Sequence, residues 1–313
     1  MASTAPTIAA DATRKGRAGF RLTLRQRRVA WAWGFLALPI VFYGWIRFYP
    51  TLNAFWLSLT DWDLLRPATF IGLANYEKLF ADPTFWKIFG NTFEYLLIGM
   101  PVSLVLSFII AYYLDRVRFL HGFIRALYFV PFLTTAAALA WVWRWFYQPV
   151  PIGVFNDILS HLGLPAQPFL RSTAQALPAI TVTGIWAGLG FQIIIFMAGL
   201  RAIPSTYYEA ARIDGLGEWA ILRKITLPLL KPTTIFLVVF SSIGFLRIFD
   251  SVFNMTHNDP GGPLNSTKPL VLLIYQTAFS SYDMGYAAAQ TVVLFIILLV
   301  ISLLQLFLLR DRA

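Results

Sequence analysis

The 313-residue sequence contains no cysteine. That excludes a disulfide framework and any thiolate metal centre. Histidine is nearly as scarce: His121, His161 and His257 lie far apart, all near segments that read as loops. No His-Glu-x-x-His or Gly-x-Ser-x-Gly pattern accompanies them, so an intramembrane hydrolase has no chemistry to draw on. Also missing is Gly-x-x-x-x-Gly-Lys-[Ser/Thr], the loop that would cradle a nucleotide's phosphates. Charge is thin as well. Asp, Glu, Lys and Arg together make up 13% of the chain, about half the share of a soluble domain. No internal repeat of the kind that builds solenoids or inverted-repeat transporters is visible. A secondary transporter working alone would want coupling acids in mid-span, and only Asp250 answers to that.

What fills the sequence instead is apolar: 58% of residues are hydrophobic and 17% aromatic. A bilayer core takes about 20 apolar residues per helix, and six segments qualify: 29–52, 88–114, 119–146, 176–200, 233–253 and 285–309. Pro131 interrupts the third, which ends in an aromatic cluster of Trp141, Trp143, Trp145 and Tyr147 suited to the membrane interface. The reading is therefore an all-α integral membrane protein.

The net charge of +10 would suit nucleic acid, but in a membrane chain it is better explained as topogenic. Arg14, Lys15, Arg17, Arg21, Arg25, Arg27 and Arg28 form a basic leader over 1–28. Arg116, Arg118 and Arg125 follow on the same side, then Arg201, Arg212, Arg223, Lys224 and Lys231, then Arg310 and Arg312. The alternate side has only Arg66, Lys78, Lys87, Arg171 and Lys268. The positive-inside bias places both termini in the cytoplasm. The first apolar run lacks a cleavage site and runs on too long for a signal peptide, so it reads as a retained anchor.

The outer connections carry structure of their own. In "FIGLANYEKLFADPTFWKIFGNT", Asn75 and Asp82 can cap short helices, with Pro83 at a first helical position and Phe85, Trp86 and Phe89 bedded in the interface. "NDPGGPLNSTKP" is a turn cluster. On the inner side, 201–232 interrupts the apolar pattern with a polar, helix-prone insert. Locally it reads as two short helices. The first runs to Asp214, with Glu209 and Arg212 spaced i, i+3 for an ion pair. Gly215 and Gly217 end it. The second runs from Glu218 to Leu227 and stops at Pro228. Ala210 and Ala211 offer a small-residue surface on which another protein could lie.

The segment "EAARIDGLGEWAILRKITLPLLKP" resembles the EAA signature of permease subunits of binding-protein-dependent ABC importers: Glu-Ala-Ala, Asp-Gly, then Ile-x-Leu-Pro, placed before the last two spans. "WAGLGFQIIIFMAGLRAIP", "GGPLNSTKPLVLLIYQTAFSSYDMGYAAAQ" and the first outer segment are similar to the carbohydrate-uptake branch of that family, of the maltose and glycerol-phosphate type. The resemblance implies a type I importer permease fold over 29–313, with six transmembrane helices, N-in and C-in, in the bacterial inner membrane. It implies a coupling helix in which Glu209, Ala210, Ala211, Asp214 and Gly215 fall on the motif and dock into a cytoplasmic ATPase subunit. It also implies the partners: a second permease subunit, an ATPase dimer that uses ATP and Mg, and an extracytoplasmic binding protein. The chain itself would hold no cofactor and catalyse nothing.

Charges inside spans are costly and usually face a wet interior. The candidates are Arg47, Glu94, Arg144, Arg247 and Asp250. Arg47 and Arg144 can snorkel outward among their aromatic neighbours, and Glu94 can be wetted at the rim. Arg247 and Asp250 share a helix face at i, i+3, either as a mutual ion pair or as cargo contacts. In "TGIWAGLGFQ" the glycines permit close helix packing or give a cavity room, with Trp186 and Phe191 as stacking faces. By resemblance, Gly184, Ala187, Gly188 and Phe191, with Arg247 and Asp250, match cargo-lining positions. The cargo stays open between a neutral sugar and glycerol phosphate or another polar solute.

Overall fold

The computed structural model describes residues 23–114, 121–256 and 258–309. Arg14, Lys15, Arg17, Arg21, Arg116, Arg118, Arg310, Arg312 and His257, and with them most of the expected leader, lie outside the described residues. The chain divides into two compact units, Met1–Asn53 and Ala54–Ala313. In the first, α1 (Leu24–Tyr43) begins at a capping box: Thr23 Oγ1 accepts from the Gln26 N–H, and the Thr23 N–H donates to Gln26 Oε1. A π turn, Gly44–Phe48, leads into α2 (Tyr49–Leu57). The helical run of 34 residues exceeds the expected 29–52 at both ends and is long enough to cross a bilayer.

The second unit opens with a feature no sequence pattern announced. Two-residue strands β1 (Thr60–Asp61) and β2 (Thr69–Phe70) pair antiparallel, Thr60 with Phe70 and Asp61 with Thr69. Next come α3 (Ala74–Ala81) and α4 (Pro83–Leu114). Asp82 caps α4 as expected, its Oδ1 accepting from the Thr84 N–H at 2.8 Å, and Pro83 opens the helix. Asn75 does not cap. It is buried inside α3, and its Nδ2 donates to the carbonyls of Ser58 and Thr60 at 3.0 and 2.9 Å, fastening α3 to the strand pair. Nor is the second outer helix short: α4 runs unbroken for 32 residues.

The third expected span is a broken one. Helix α5 (His121–Leu133) and α6 (Ala136–Phe146) meet at an angle of 106° across Thr134–Thr135. Pro131 lies inside α5, and the break comes beyond it, where Thr135 takes extended φ/ψ of −62°/139°. After α7 (Val154–His161), α8 (Ala176–Ala202) spans in one piece. The inner insert holds α9 (Ser205–Ile213), α10 (Glu218–Ile221), a π turn at Leu222–Thr226 and α11 (Leu227–Leu229). Pro228 therefore does not stop the second helix. The π turn ahead of it loosens the ladder a proline would otherwise break, and the bend comes later, 65° at the junction with α12 (Lys231–Leu246).

The fifth span departs most from expectation. Instead of one helix over 233–253, α12 ends at Leu246, and Arg247 and Phe249 leave helical geometry, with φ/ψ of −107°/19° and −140°/−63°. Helix α13 (Asp250–Met255) restarts after the break. Then α14 (Leu270–Phe279) and α15 (Met284–Leu309) complete the chain. Four helical runs are long and apolar enough to cross a membrane by themselves, and the two bent pairs bring the described residues to six spans.

Packing collects at two levels. Near one end Tyr95, Ala140, Leu177, Ile180, Val252 and Leu272 form a buried cluster. Near the other, Leu104, Ala111, Leu114, Phe196, Leu200 and Leu230 form a second. Lipid gives no hydrophobic drive for helices to associate, so polar ties matter more than in water. One of these is Gln192, which lies between three helices. Its Nε2 donates to Ser103 Oγ on α4 (3.3 Å) and Ser241 Oγ on α12 (3.2 Å), while its Oε1 accepts from Ser107 at 3.0 Å.

Candidate functional site

The inner insert is closed by its own backbone. Helix α9 ends at Asp214, and Gly215 takes φ +76°, a left-handed conformation costly for residues with a Cβ. The Gly215 N–H donates to Arg212 O at 3.1 Å and the Leu216 N–H to Ala211 O at 2.9 Å. These two bonds make a Schellman turn, which satisfies the helix's last carbonyls without outside help. The expected Glu209–Arg212 pair does not form. Arg212 instead reaches across the turn to Glu218 at 3.6 Å, both side chains being largely exposed. Farther along, Thr226 Oγ1 donates to Tyr208 Oη at 3.4 Å.

The motif residues split by face. Glu209, Ala210, Asp214 and Gly215 are exposed, whereas Ala211 is buried and packs inward. The alanines therefore do not form one shared surface. Sequence reading also passed over two residues. Ile213 is 86% exposed and Trp219 72% exposed, so a polar loop presents two bare apolar side chains beside the motif. Their apolar character within a charged stretch was the available signal.

The second site gathers at the break in the fifth span. A cleft of about 270 Å³ is lined by Gly184, Gly188 and Gln192 of α8, Phe240, Ser241, Gly244 and Phe245 of α12, Ala136 of α6, and the stretch from Arg247 to Ser251. Non-helical backbone at membrane depth is tolerated where it borders a cavity rather than lipid. Of the six expected cargo positions, Gly184, Gly188, Arg247 and Asp250 meet here, and Ala187 and Phe191 do not line it. Phe191 stands one layer back, its ring 4.8 Å from that of Phe240. Trp186 is directed elsewhere, against Trp143 at 5.5 Å.

The break also changes how Arg247 and Asp250 relate. They are not on one continuous helix face, and among the described residues neither makes an ion pair within 4 Å. The glycines separate by role too. A Cβ on Gly190 would run into the Tyr128 carbonyl, so this glycine permits close helix packing. A Cβ on Gly184 or Gly188 would meet only Phe245 Cε1 at 3.4 Å or Gln192 Nε2 at 3.5 Å, contacts of the cleft wall. Of the other in-span charges, Glu94 is exposed. The Arg144 guanidinium lies over the Trp141 ring, 4.8 Å from the centroid, with Nη1 buried.

The sulfoquinovosyl glycerol transport system permease protein SmoG of Agrobacterium fabrum is 32% identical over 88% of this chain and 89% of its own length. The lactose transport system permease protein LacF of Rhizobium radiobacter is 31% identical over 90% and 94%. The arabinooligosaccharides transport system permease protein AraP of Bacillus subtilis is 34% identical over 82% of each. In fold, the chain is similar to a crystal structure of a bacterial ABC transporter involved in the import of the acidic polysaccharide alginate. The TM-score is 0.75 at 22% identity, covering 92% of this chain and 97% of that one. Residues 103–312 match the family model described as the inner membrane component of binding-protein-dependent transport systems. The chain therefore belongs to that family: it is a multi-pass inner-membrane permease subunit of an ABC importer.

Proposed function

We propose that this permease carries a sugar or sugar-like solute, handed over by an extracytoplasmic binding protein, through a pathway shared with a second permease subunit. The observation that carries this reading is the cleft at the α12–α13 break, where glycines leave room and Arg247 and Asp250 have no ion-pair partner among the described residues. The sugar assignment draws support from relatives named for sulfoquinovosyl glycerol, lactose and arabinooligosaccharides. Arg247 favours one variant of it, a cargo with an anionic group such as glycerol phosphate or an acidic sugar.

Coupling is assigned to α9. A short rigid helix held in a groove of the ATPase would move when the ATPase dimer closes, and its motion would pass to α8 and α12 at either end of the insert. Glu209, Ala210, Asp214 and Gly215 would present the docking face, Ile213 and Trp219 its apolar contacts, and Ala211 would support the helix from behind. ATP and Mg would be used by the partner, with nothing bound here.

Two measurements in proteoliposomes holding the assembled transporter test this. Glu209→Lys should leave assembly intact while separating ATP hydrolysis from uptake; coupled transport at the normal ratio would sink the docking role. Arg247→Ala and Asp250→Ala should each assemble normally yet lose uptake or change cargo preference, with the double variant equally defective. Full recovery of uptake in the double variant would mean the two residues serve only to balance each other.

A further inference from the structure

A second cleft, of about 310 Å³, opens at the extracytoplasmic end of the bundle and belongs to none of the roles above. Its polar lining comes from Arg144 and Gln148 at the end of α6, Arg171 in the loop before α8, and Thr256, Asn258 and Asp259 beyond α13. Arg144 is the anomaly. Its Nη1 is buried and donates to nothing, and among the described residues no carboxylate stands within 4 Å of its guanidinium. The other arginines seen in ion pairs, Arg66 with Asp63 and Arg212 with Glu218, are solvent-exposed. A buried charged donor left without an acceptor is costly, and a guanidinium's fork matches a carboxylate in two parallel bonds.

We propose that this cleft is a binding site for a carboxylate-bearing saccharide, a sugar acid held by Arg144 before it reaches the cavity at the α12–α13 break. Charge and shape select the group: Arg144 and Arg171 outnumber Asp259 in the lining, which suits an anion, and the planar guanidinium fork suits a carboxylate. Volume selects its carrier. A lone Asp or Glu side chain from a docking protein would leave most of the cleft empty, while small-ligand sites begin at about 300 Å³. Gln148 and Asn258 can meet hydroxyl groups, and Asp259 can accept from them. Placement supplies the purpose. Helix α6 bears Ala136 in the membrane cavity and Arg144 in the outer cleft, eight residues and about 12 Å apart. Helix α13 likewise runs from Asp250 at the cavity to Met255 at the cleft. One helix pair thus borders both sites.

The saccharide class rests on the function proposed above; the carboxylate does not. The assembled transporter in nanodiscs is titrated calorimetrically with D-glucuronate and with glucose. Glucuronate should bind and glucose should not, with Arg144→Gln weakening glucuronate by on the order of tenfold or more. Arg144→Lys keeps the charge but not the fork, so a correctly assembled Arg144→Lys protein should also bind several-fold more weakly. Glucuronate affinity unchanged in Arg144→Lys, or lost in Arg247→Gln instead, would overturn the outer site and leave the transport reading intact. Failure of that reading would show separately, as absence of any saccharide uptake by the wild type.

Discussion

The two ends of the bundle hold their loops by opposite means. On the extracytoplasmic side, buried side chains grip loop backbone, Asn91 and Tyr95 across more than 170 residues of sequence and Asn156 across 8 and 11. Asn91 Nδ2 donates to the carbonyls of Asn265 (2.7 Å) and Lys268 (3.1 Å), Tyr95 Oη donates to Thr267 O at 3.0 Å, and Asn156 Nδ2 donates to Gln148 O and Gln167 O, both at 3.0 Å. On the cytoplasmic side, bonds within the insert include a Schellman turn, the exposed Arg212–Glu218 pair and a long Thr226–Tyr208 hydroxyl bond. The outer loops are bonded to the spans as part of the folded body. The inner insert closes its turn with local bonds, buries Ala211, Ile221 and Leu230, and leaves Glu209, Ile213 and Trp219 bare.

Breaking the outer grip should cost most. Asn91→Ala leaves two loop carbonyls without their donor, about 1–3 kcal/mol for each acceptor that stays buried. The melting temperature and yield of the purified protein should fall together. Little change would mean the outer loops are no better anchored than the inner one. Gly215→Val comes next. Forcing a β-branched residue into the left-handed region costs about 1–2 kcal/mol, but the strain is confined to the insert, so membrane insertion should persist while the end of α9 frays. Hydrogen exchange over 205–217 would register it, and global unfolding instead would erase the distinction between the ends. Arg212→Ala should cost less, below about 1 kcal/mol, because exposed pairs contribute little; a larger fall in stability would show the insert relies on more than its backbone.

The smallest effect concerns pH at the outer loop. Burial lowers the Lys268 amine below its ordinary value of 10.5, against the opposing pull of Asp259. A base whose folded pKa is depressed costs stability while charged. That cost is fully present below the folded pKa and fades as pH rises toward 10.5. Thermal stability should therefore rise slightly across that window in the wild type and stay flatter in Lys268→Gln. An identical rise in both would place its origin elsewhere.

The inner insert was largely legible in the sequence because its information is local: glycines, charges and a helix-forming run lie within 30 or so residues. What misled there was pairing, since Arg212 had acids available on both sides and geometry chose Glu218 over Glu209. The spans were legible from composition, but their breaks were not. Composition cannot tell 119–146 as one helix from two helices at 106°, nor foresee that 233–253 unwinds at Arg247. The expected cargo positions came through family resemblance, and the unwinding decided which of them meet at the cleft. Asn75 looked like a cap and proved a buried tie, because its true partners, the Ser58 and Thr60 carbonyls, lie 17 and 15 residues away.

The turn at Gly215 has a consequence for how this loop can change over time. Each residue of a helix advances its face by about 100°. Between Pro204 and Gly215 the phase of α9 is fixed at both ends, with Ala211 turned in and Ala210 turned out. Replacing one exposed side chain alters a single point of contact. Inserting or deleting one residue rotates everything beyond it and would bring an unsuitable side chain to the place Ala211 occupies. The loop can therefore drift freely in composition while its length stays locked, and single-residue insertions here should be tolerated far less well than substitutions at the same positions.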